Sequence, residues 1–424
     1  MNKTISILIL LAGLIALEAT GYAQVSDRVW PSGYGQADLC LWRDDKLAAI
    51  SFTVDDNAAL DHDWWIEMSQ KYGFKVTWFV ITSRVSAGSS GGGINGNWGG
   101  FRRLYNLGHD LQSHTVNHSV TAENVDYEYG ESIRILEEQI PGNKVLVLAY
   151  PSPGKYYTNP DIARNYFIGA RGVVGTLNQA DNIDYMRTNS ISSFTFDTDH
   201  WASITNILRY NSSRERDFRA WQCMHFHSVG DRKNNLIQGF EYMKQHENDL
   251  WTGTFREVVL YGQERDTANV TVRQAGASQI RLSVTDRQDD RLFDYPLTVK
   301  VRLDSSWNNL YASQDSRQID ARLVTHGGAR YALVNVVPDR GEAILSKQPG
   351  TPGPIDILYG DVSENGSISA YDASLAAQYA VGSITLTASQ ITKADVTGNG
   401  DVSATDASWV ARKAVDSDVE LPVE

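Results

Sequence analysis

Two carboxylates and two imidazoles set the chemistry open to this chain. Residues 51–56 read Ser-Phe-Thr-Val-Asp-Asp, an apolar run ending in the adjacent pair Asp55 and Asp56. Residues 113–118 read Ser-His-Thr-Val-Asn-His and place His114 and His118 at i, i+4 spacing. One carboxylate with two imidazoles is a ligand set for a single divalent ion, zinc (Zn2+) first, with cobalt (Co2+) or another transition ion as alternatives. Neighbouring residues at a strand end point to opposite sides. One aspartate can then ligate while the other serves as base toward a water whose pKa the metal lowers. That is the equipment of a metal-assisted hydrolase. Taken singly, each signal is weak, because an Asp-Asp pair is more often a solvated turn. The two strings together, each after a strand pattern, point to a site.

The elements that must position these residues alternate in type. Residues 47–54, 75–81 and 144–150 read as strands, and 61–72, 101–107 and 127–139 as helices. Alternating strands and helices imply βα units around a mainly parallel sheet or barrel, with ligands at the C-terminal strand ends. Both strings fall on that face. Beyond residue 266 the pattern changes: residues 269–273, 279–285, 297–303 and 331–337 alternate apolar and polar with period two, predicting a small all-β, sandwich-like domain. Residues 347–354, Lys-Gln-Pro-Gly-Thr-Pro-Gly-Pro, are a linker by composition.

A repeat lies beyond the linker. Residues 361–372 and 395–406 each carry oxygen-bearing side chains at the ligand positions of a twelve-residue calcium loop, with Gly366 and Gly400 at the sixth position. The candidate calcium (Ca2+) ligands are Asp361, Ser363, Asn365, Ser367 and Asp372 in the first copy, with Ser369 at position nine. In the second they are Asp395, Thr397, Asn399, Asp401 and Asp406, with Ser403 at position nine. An Ala-rich helical stretch comes after each copy.

Composition bounds the function classes. The 424 residues carry 38 Lys and Arg against 51 Asp and Glu, a net charge of −13, which argues against nucleic acid or an anionic membrane as partner. Lys3, an apolar run over residues 5–16 and Gly21-Tyr22-Ala23 form a secretory signal pattern, so residues 1–23 are expected to be removed on export. No other stretch approaches membrane-spanning length. Cys40 and Cys223 are the two cysteines; a disulfide and two buried thiols both remain open.

Residues 45–260 resemble the polysaccharide deacetylases of carbohydrate esterase family 4. Thr53-Val54-Asp55-Asp56-Asn57 looks like that family's first motif, Thr-Phe-Asp-Asp-Gly, and residues 113–118 like its second, His-Ser/Thr-x-x-His. The resemblance implies a distorted (β/α) barrel with Asp55 as general base and Asp56, His114 and His118 as metal ligands. Its third motif, Arg-x-Pro, is altered: Ala149 stands where the arginine would fall, which leaves Asp55 without its usual partner. A backbone N–H near Tyr150 is expected to help hold the oxyanion. Residues 224–230, Met-His-Phe-His-Ser-Val-Gly, look like the last motif and make His227 the general acid, with His225 read as a buried structural histidine. In residues 195–201, Asp197 or Asp199 would orient that acid. Aromatic residues crowd the site loops, and flat rings suit sugar faces. Trp65, Trp98, Tyr150 and Trp201 are the substrate-binding candidates, beside Trp64 and Tyr156, while Trp78 reads as core. The C-terminal repeat resembles a type I dockerin, which implies a cohesin-bearing scaffold or surface protein as partner.

The expected layout is thus a signal peptide over 1–23, the barrel over 24–265, the sandwich over 266–346, a linker over 347–356 and the dockerin-like α-helical module over 357–424. The expected function is a secreted, metal-dependent hydrolase that removes N- or O-acetyl groups from an acetylated polysaccharide. A catalytically impaired glycan-binding protein and a related metal-dependent amidase are the alternatives.

Overall fold

The computed structural model describes residues 29–87, 93–151, 160–192, 219–349, 358–363, 367–386 and 388–423. The expected signal peptide and most of the expected linker lie outside them. Among the described residues, no helix is long and apolar enough to cross a membrane.

The chain opens with a short strand, β1 (Ala37–Leu39), and then enters an α/β unit. Its elements are β2 (Ala48–Val54), α1 (His62–Tyr72), β3 (Val76–Val80), α2 (Trp98–Asn106), β4 (Asp110–Ser113), α3 (Ser132–Gln139) and β5 (Val147–Ala149). They continue with α4 (Pro160–Ala163), β6 (Gly169–Arg171), β7 (Trp221–Phe226), α5 (Lys233–Gln245), β8 (Leu250–Thr252) and α6 (Phe255–Thr267). The strands form one parallel sheet in the order β6-β5-β4-β3-β2-β7, with β8 paired to the start of β2. The sheet curls. Thr188 bridges Arg171 on one edge and Ile191 bridges Met224 on the other. Residues 188–191 therefore join β6 to β7 by an irregular segment in place of a strand, which is the distortion of the barrel.

β2 is the central strand, and all seven of its residues are buried. Such a strand reads as a continuous apolar run because both faces are covered. Its alternate residues Ala48, Ile50, Phe52 and Val54 pack outward with Trp65 and Met68 of α1 and Phe240 and Met243 of α5. Ala49 packs on the other side with Phe79, Ala149, Trp221 and Cys223. Cys40 and Cys223 are both buried and not joined in a disulfide, and burial pushes Cys223 up to about 12. Helix ends obey local signals. Gly73 closes α1 at φ 77°, its N–H bonded to the Ser69 carbonyl, and Thr254 and Glu257 form a capping box at the start of α6.

Eight further strands come next: β9 (Asn269–Ala275), β10 (Gln279–Thr285), β11 (Leu297–Leu303), β12 (Tyr311–Gln314), β13 (Arg317–Gln318), β14 (Ala321–His326), β15 (Ala329–Val336) and β16 (Glu342–Ser346). They make two antiparallel sheets, β1-β11-β15-β14 and β13-β12-β16-β10-β9, with a shared apolar core that includes Leu282, Val299, Val334 and Leu345. β1, which precedes the barrel in sequence, thus belongs to a sandwich sheet. Three half-buried residues carry too little period-two pattern to announce this. The C-terminal module holds α7 (Ala370–Ala380), α8 (Ala388–Ala394) and α9 (Ala404–Val415).

Candidate active site

The two adjacent carboxylates are separated by a turn. Asp55 is the last residue of the ladder, its N–H donating to the Phe226 carbonyl at 2.8 Å, and its side chain is buried inside the barrel. Asp56, Asn57 and Ala58 then take φ values of 55°, 68° and 36°. The left-handed region disfavours each of these L-residues by roughly 1–2 kcal/mol, so something must hold them. Buried Asn57 does this: Oδ1 accepts from the Ile81 N–H at 2.8 Å and Nδ2 donates to the Asn95 carbonyl at 3.2 Å. The turn sends Asp55 inward and Asp56 toward the mouth.

β4 delivers the histidines. The His114 N–H donates to the Val80 carbonyl at 3.0 Å, and its ring Nδ1 lies 2.8 Å from the Ala149 carbonyl. A carbonyl can only accept, so Nδ1 carries the proton and Nε2 presents a lone pair. Burial pushes His114 down to about 4, which keeps it neutral. The i, i+4 spacing is not helical here: residues 114–118 form a bent loop, with Thr115 at φ 68° and His118 at φ 60°. Tertiary contacts fold it. Thr115 Oγ1 accepts from the His118 N–H at 3.0 Å, and the buried Glu128 accepts from the N–H groups of Val116 (3.0 Å) and Asn117 (2.8 Å) and from Asn117 Nδ2 (2.8 Å). Glu128 sits in a π-helical turn, Tyr127–Glu131, that runs into α3.

His114 Nε2 and His118 Nε2 each lie 3.5 Å from Asp56 Oδ1. That oxygen is buried with no hydrogen-bond partner among the described residues. Ligand atoms about 2.1 Å from a tetrahedral ion lie roughly 3.4 Å apart. The orphaned carboxylate oxygen and the two Nε2 atoms facing it therefore fit a divalent ion such as zinc.

Asp55 is held by a residue that none of the sequence motifs contains. Arg171 Nη2 donates to Asp55 Oδ2, with both side chains buried. The guanidinium also lies over the Phe79 ring, 5.4 Å from its centre, and Nη1 donates to the Gly172 carbonyl at 3.1 Å. Burial alone would raise the Asp55 carboxyl; the Arg171 guanidinium beside it holds it below its ordinary range. Oδ1 of Asp55 has no hydrogen-bond partner among the described residues. The expectation that Ala149 leaves Asp55 unpaired is thereby corrected. The one hint in the sequence is an arginine closing the apolar run 167–170.

His227 lies at the mouth, its side chain 59% exposed and Nε2 4.0 Å from Asp55 Oδ2. Asp61 positions the loop after β7 by accepting from the Val229 N–H at 2.9 Å. His225 is buried, as expected, with Nδ1 2.6 Å from Ser190 Oγ.

The aromatic candidates need correction. Trp65 is 0% exposed and packs among Phe52, Phe74, Phe226 and Phe240, so it offers no face to a sugar. Trp98 is buried as the first residue of α2 against Phe101, because the helix starts earlier than expected. Tyr150 is buried too, its hydroxyl donating to the Met186 carbonyl at 3.0 Å and its N–H to the Arg171 carbonyl at 3.1 Å. Its N–H is thus committed to the sheet and is not free for an oxyanion. Trp64 is half-buried against the same core. Trp201, Tyr156, Asp197, Asp199 and Asn365 lie outside the described residues.

In the C-terminal repeat, Asp372 Oδ1 accepts from the Ser363 N–H at 2.7 Å, and Asp406 Oδ1 from the Thr397 N–H at 2.9 Å. Ser369 with Asp372 and Ser403 with Asp406 form capping boxes on α7 and α9. Asp395 accepts from the N–H groups of Asn399 (3.1 Å) and Gly400 (2.8 Å), and Asn399 Oδ1 from the Asp401 N–H at 2.9 Å. Asp361 is buried, and Ser363 Oγ is buried with no hydrogen-bond partner among the described residues. An unpaired hydroxyl oxygen at the third loop position, where a ligand is needed, fits calcium. Ser367 occupies position seven, where the backbone carbonyl ligates.

Two family models match the chain: residues 43–165 match that for polysaccharide deacetylase, and residues 359–413 that for the type I dockerin domain. A curated relative, a gellan lyase from a Bacillus species, is 34% identical over 374 residues, which is 81% of this chain. The chain spans only 14% of that relative's length. Among solved structures, the Streptococcus pyogenes deacetylase PplD in complex with acetate is 24% identical, with 38% of this chain and 68% of that one covered and a TM-score of 0.32. A putative polysaccharide deacetylase from Mycobacterium smegmatis is 14% identical, with 55% and 94% covered and a TM-score of 0.36.

Proposed function

From a polysaccharide deacetylase segment and a type I dockerin domain in one chain, we propose a metal-dependent hydrolase that removes acetyl groups from a polysaccharide outside the cell. The observation that carries this reading is the convergence of Asp56, His114 and His118 beside an Arg171-held Asp55. Zinc or cobalt bound by Asp56, His114 and His118 would supply Lewis-acid polarisation of the acyl carbonyl and acidify a water. The chain's own residues do the rest. Asp55 Oδ1, free of Arg171, takes a proton from the attacking water. Arg171 fixes the other carboxylate oxygen, so the base stays ionised and cannot rotate away. His114 keeps its Nε2 directed at the site by donating Nδ1–H to Ala149. His227, exposed at the mouth, gives a proton to the leaving amine or alcohol. One proton enters at Asp55 and one leaves at His227, and solvent restores both.

Export is supported by the leader pattern of residues 1–23, and the dockerin supports tethering to a cohesin-bearing scaffold or surface protein with calcium in both loops. The name of the gellan lyase relative is in keeping with a polysaccharide substrate. A catalytically impaired glycan-binding protein draws on the missing arginine at Ala149; the Arg171–Asp55 pair weighs against it. The test is acetate release from chitin oligomers, acetylated xylan and peptidoglycan before and after chelation, with zinc and cobalt added back. Acetate that disappears on chelation and returns with metal supports the reading; no acetate from any substrate by the metal-loaded protein refutes it.

A further inference from the structure

Arg84 is an exposed cation whose side chain has no hydrogen bond or ion pair among the described residues. It ends the one-turn 3₁₀ helix Thr82–Arg84 that leaves β3, and β3 lies between β2 and β4, the strands that deliver Asp56 and the two histidines. That turn is tied to the histidine loop: the N–H groups of Thr82 and Ser83 donate to the carbonyls of Thr115 (3.2 Å) and Val116 (3.0 Å). Arg84 thus stands on the rim of the ligand cluster, and its charge acts on His118, whose pKa burial lowers first, Asp56 raises and Arg84 lowers again. By contrast, the exposed Arg103, Arg134 and Arg164 each pair with a carboxylate.

The same rim carries bare apolar surface. Ser86, two residues past Arg84, donates its N–H to the Gly96 carbonyl at 3.1 Å and accepts from the Trp98 N–H at 3.3 Å. Gly96, at φ 70°, lies so close to Ala59 that a Cβ there would come within 2.8 Å of the Ala59 methyl, and Asn57 Nδ2 holds the Asn95 carbonyl. Residues 93–96 are thereby clamped against the turn that presents Asp56. Leu60 and Ile94, on these two clamped segments, are 74% and 65% exposed. Paired aliphatic side chains at the edge of a site suit the C–H face of a sugar ring. An exposed ion pair contributes little, but a chain lying over this rim excludes water from Arg84 and strengthens any pairing it makes.

We propose that this rim binds a uronic acid unit flanking the acetylated sugar, with the Arg84 guanidinium taking its carboxylate and Leu60 and Ile94 its C–H face, so that the substrate is an acidic polysaccharide. The inference rests on the deacetylase reading. A guanidinium offers its N–H groups in a planar fork that matches a carboxylate. The protein's net charge of −13 repels an anionic chain at long range. A cation placed at the site itself offsets that repulsion where the chain must settle.

The test presents the full chain with one acetylated oligogalacturonide in two forms, the free acid and its methyl ester, beside chitin oligomers and acetylated xylan. Metal content and thermal unfolding are measured for each variant. The wild type should prefer the free acid in kcat/KM by about fivefold or more, chiefly through KM. Raising the salt to about 0.5 M should shrink that preference. Arg84→Gln should bring the acid-to-ester ratio close to one, Arg84→Lys should keep part of it, and Arg84→Glu should invert it. A wild-type ratio near one, a ratio that Arg84→Gln does not move, or acetate from the uncharged substrates alone overturns the proposal and leaves the deacetylase reading intact. No acetate from any of these substrates overturns both.

Discussion

Arg171 stands directly beside Ala149 in the parallel pairing of β5 and β6, and its guanidinium reaches across the barrel to the Asp55 carboxylate. The cation that the motif around Ala149 lacks is supplied from the next strand. Ala149 points to the same side of the sheet as Arg171, since paired residues of neighbouring parallel strands share a face. The small residue leaves that face open to the longer one.

Arg171→Ala should lower both activity and stability. Removing one partner of a buried ion pair leaves a stranded charge, a loss of about 3–5 kcal/mol. Acetate release should fall by about 10²-fold or more, since the base loses its orientation. Arg171→Lys keeps the charge without the planar fork and should fall between. Unfolding curves together with acetate assays check this; wild-type activity in a folded Arg171→Ala protein would contradict it.

Asp55 and Asp56 should fail differently. Asp55→Asn should abolish acetate release and keep bound metal, because Asp55 holds Arg171 and not the ligand cluster. Asp56→Ala should lose both metal and activity. Metal analysis after dialysis against trace zinc distinguishes them, and loss of metal from Asp55→Asn would overturn this division of roles.

Glu128 should act on the metal through the loop it holds. Glu128→Ala strands the N–H groups of Val116 and Asn117, and metal affinity should drop by about 10–100-fold, as for other residues behind a ligand. A zinc titration with a competing chelator reads it directly, and unchanged affinity would show that the loop holds its shape unaided.

Stability should fall from mildly acidic toward alkaline pH because of Glu264. Burial, and then Asp286, raises its carboxyl from 4.5 to about 9, although the Tyr295 N–H donates to it. The folded state keeps the proton where the unfolded chain has released it, so stability declines as pH rises from about 4.5 to about 9. Glu264→Gln should flatten that decline in denaturant titrations across this range. An unchanged slope would place its origin elsewhere.

Calcium removal should loosen the C-terminal module and leave the barrel chemistry alone. With EGTA the pair Asp361 and Asp372 and the pair Asp395 and Asp406 should each lose a counter-ion, and cohesin binding should disappear while acetate release persists. Binding that survives EGTA would count against calcium in these loops.

Features with local signals were legible before any folding was considered. The period of the apolar pattern marks alternating strands and helices, and it places Asp55, Asp56, His114 and His118 at strand ends where a parallel sheet gathers its loops. The loop spacing of residues 361–372 and 395–406 is likewise local. Other features exist only once the chain has closed on itself. Arg171 is 116 residues from Asp55, and nothing near either residue records that β6 curls round to face β2. Trp65 and Trp98 look available for sugar in the sequence, but the packing of α1 and α2 against the sheet buries their rings. β1 joins a sandwich sheet formed from the far side of the barrel sequence, because its register partner is Val301. The Ser190 hydroxyl beside His225 is brought in by the segment that closes the barrel. Pairings between distant strands depend on register and curvature, which single-residue preferences do not encode.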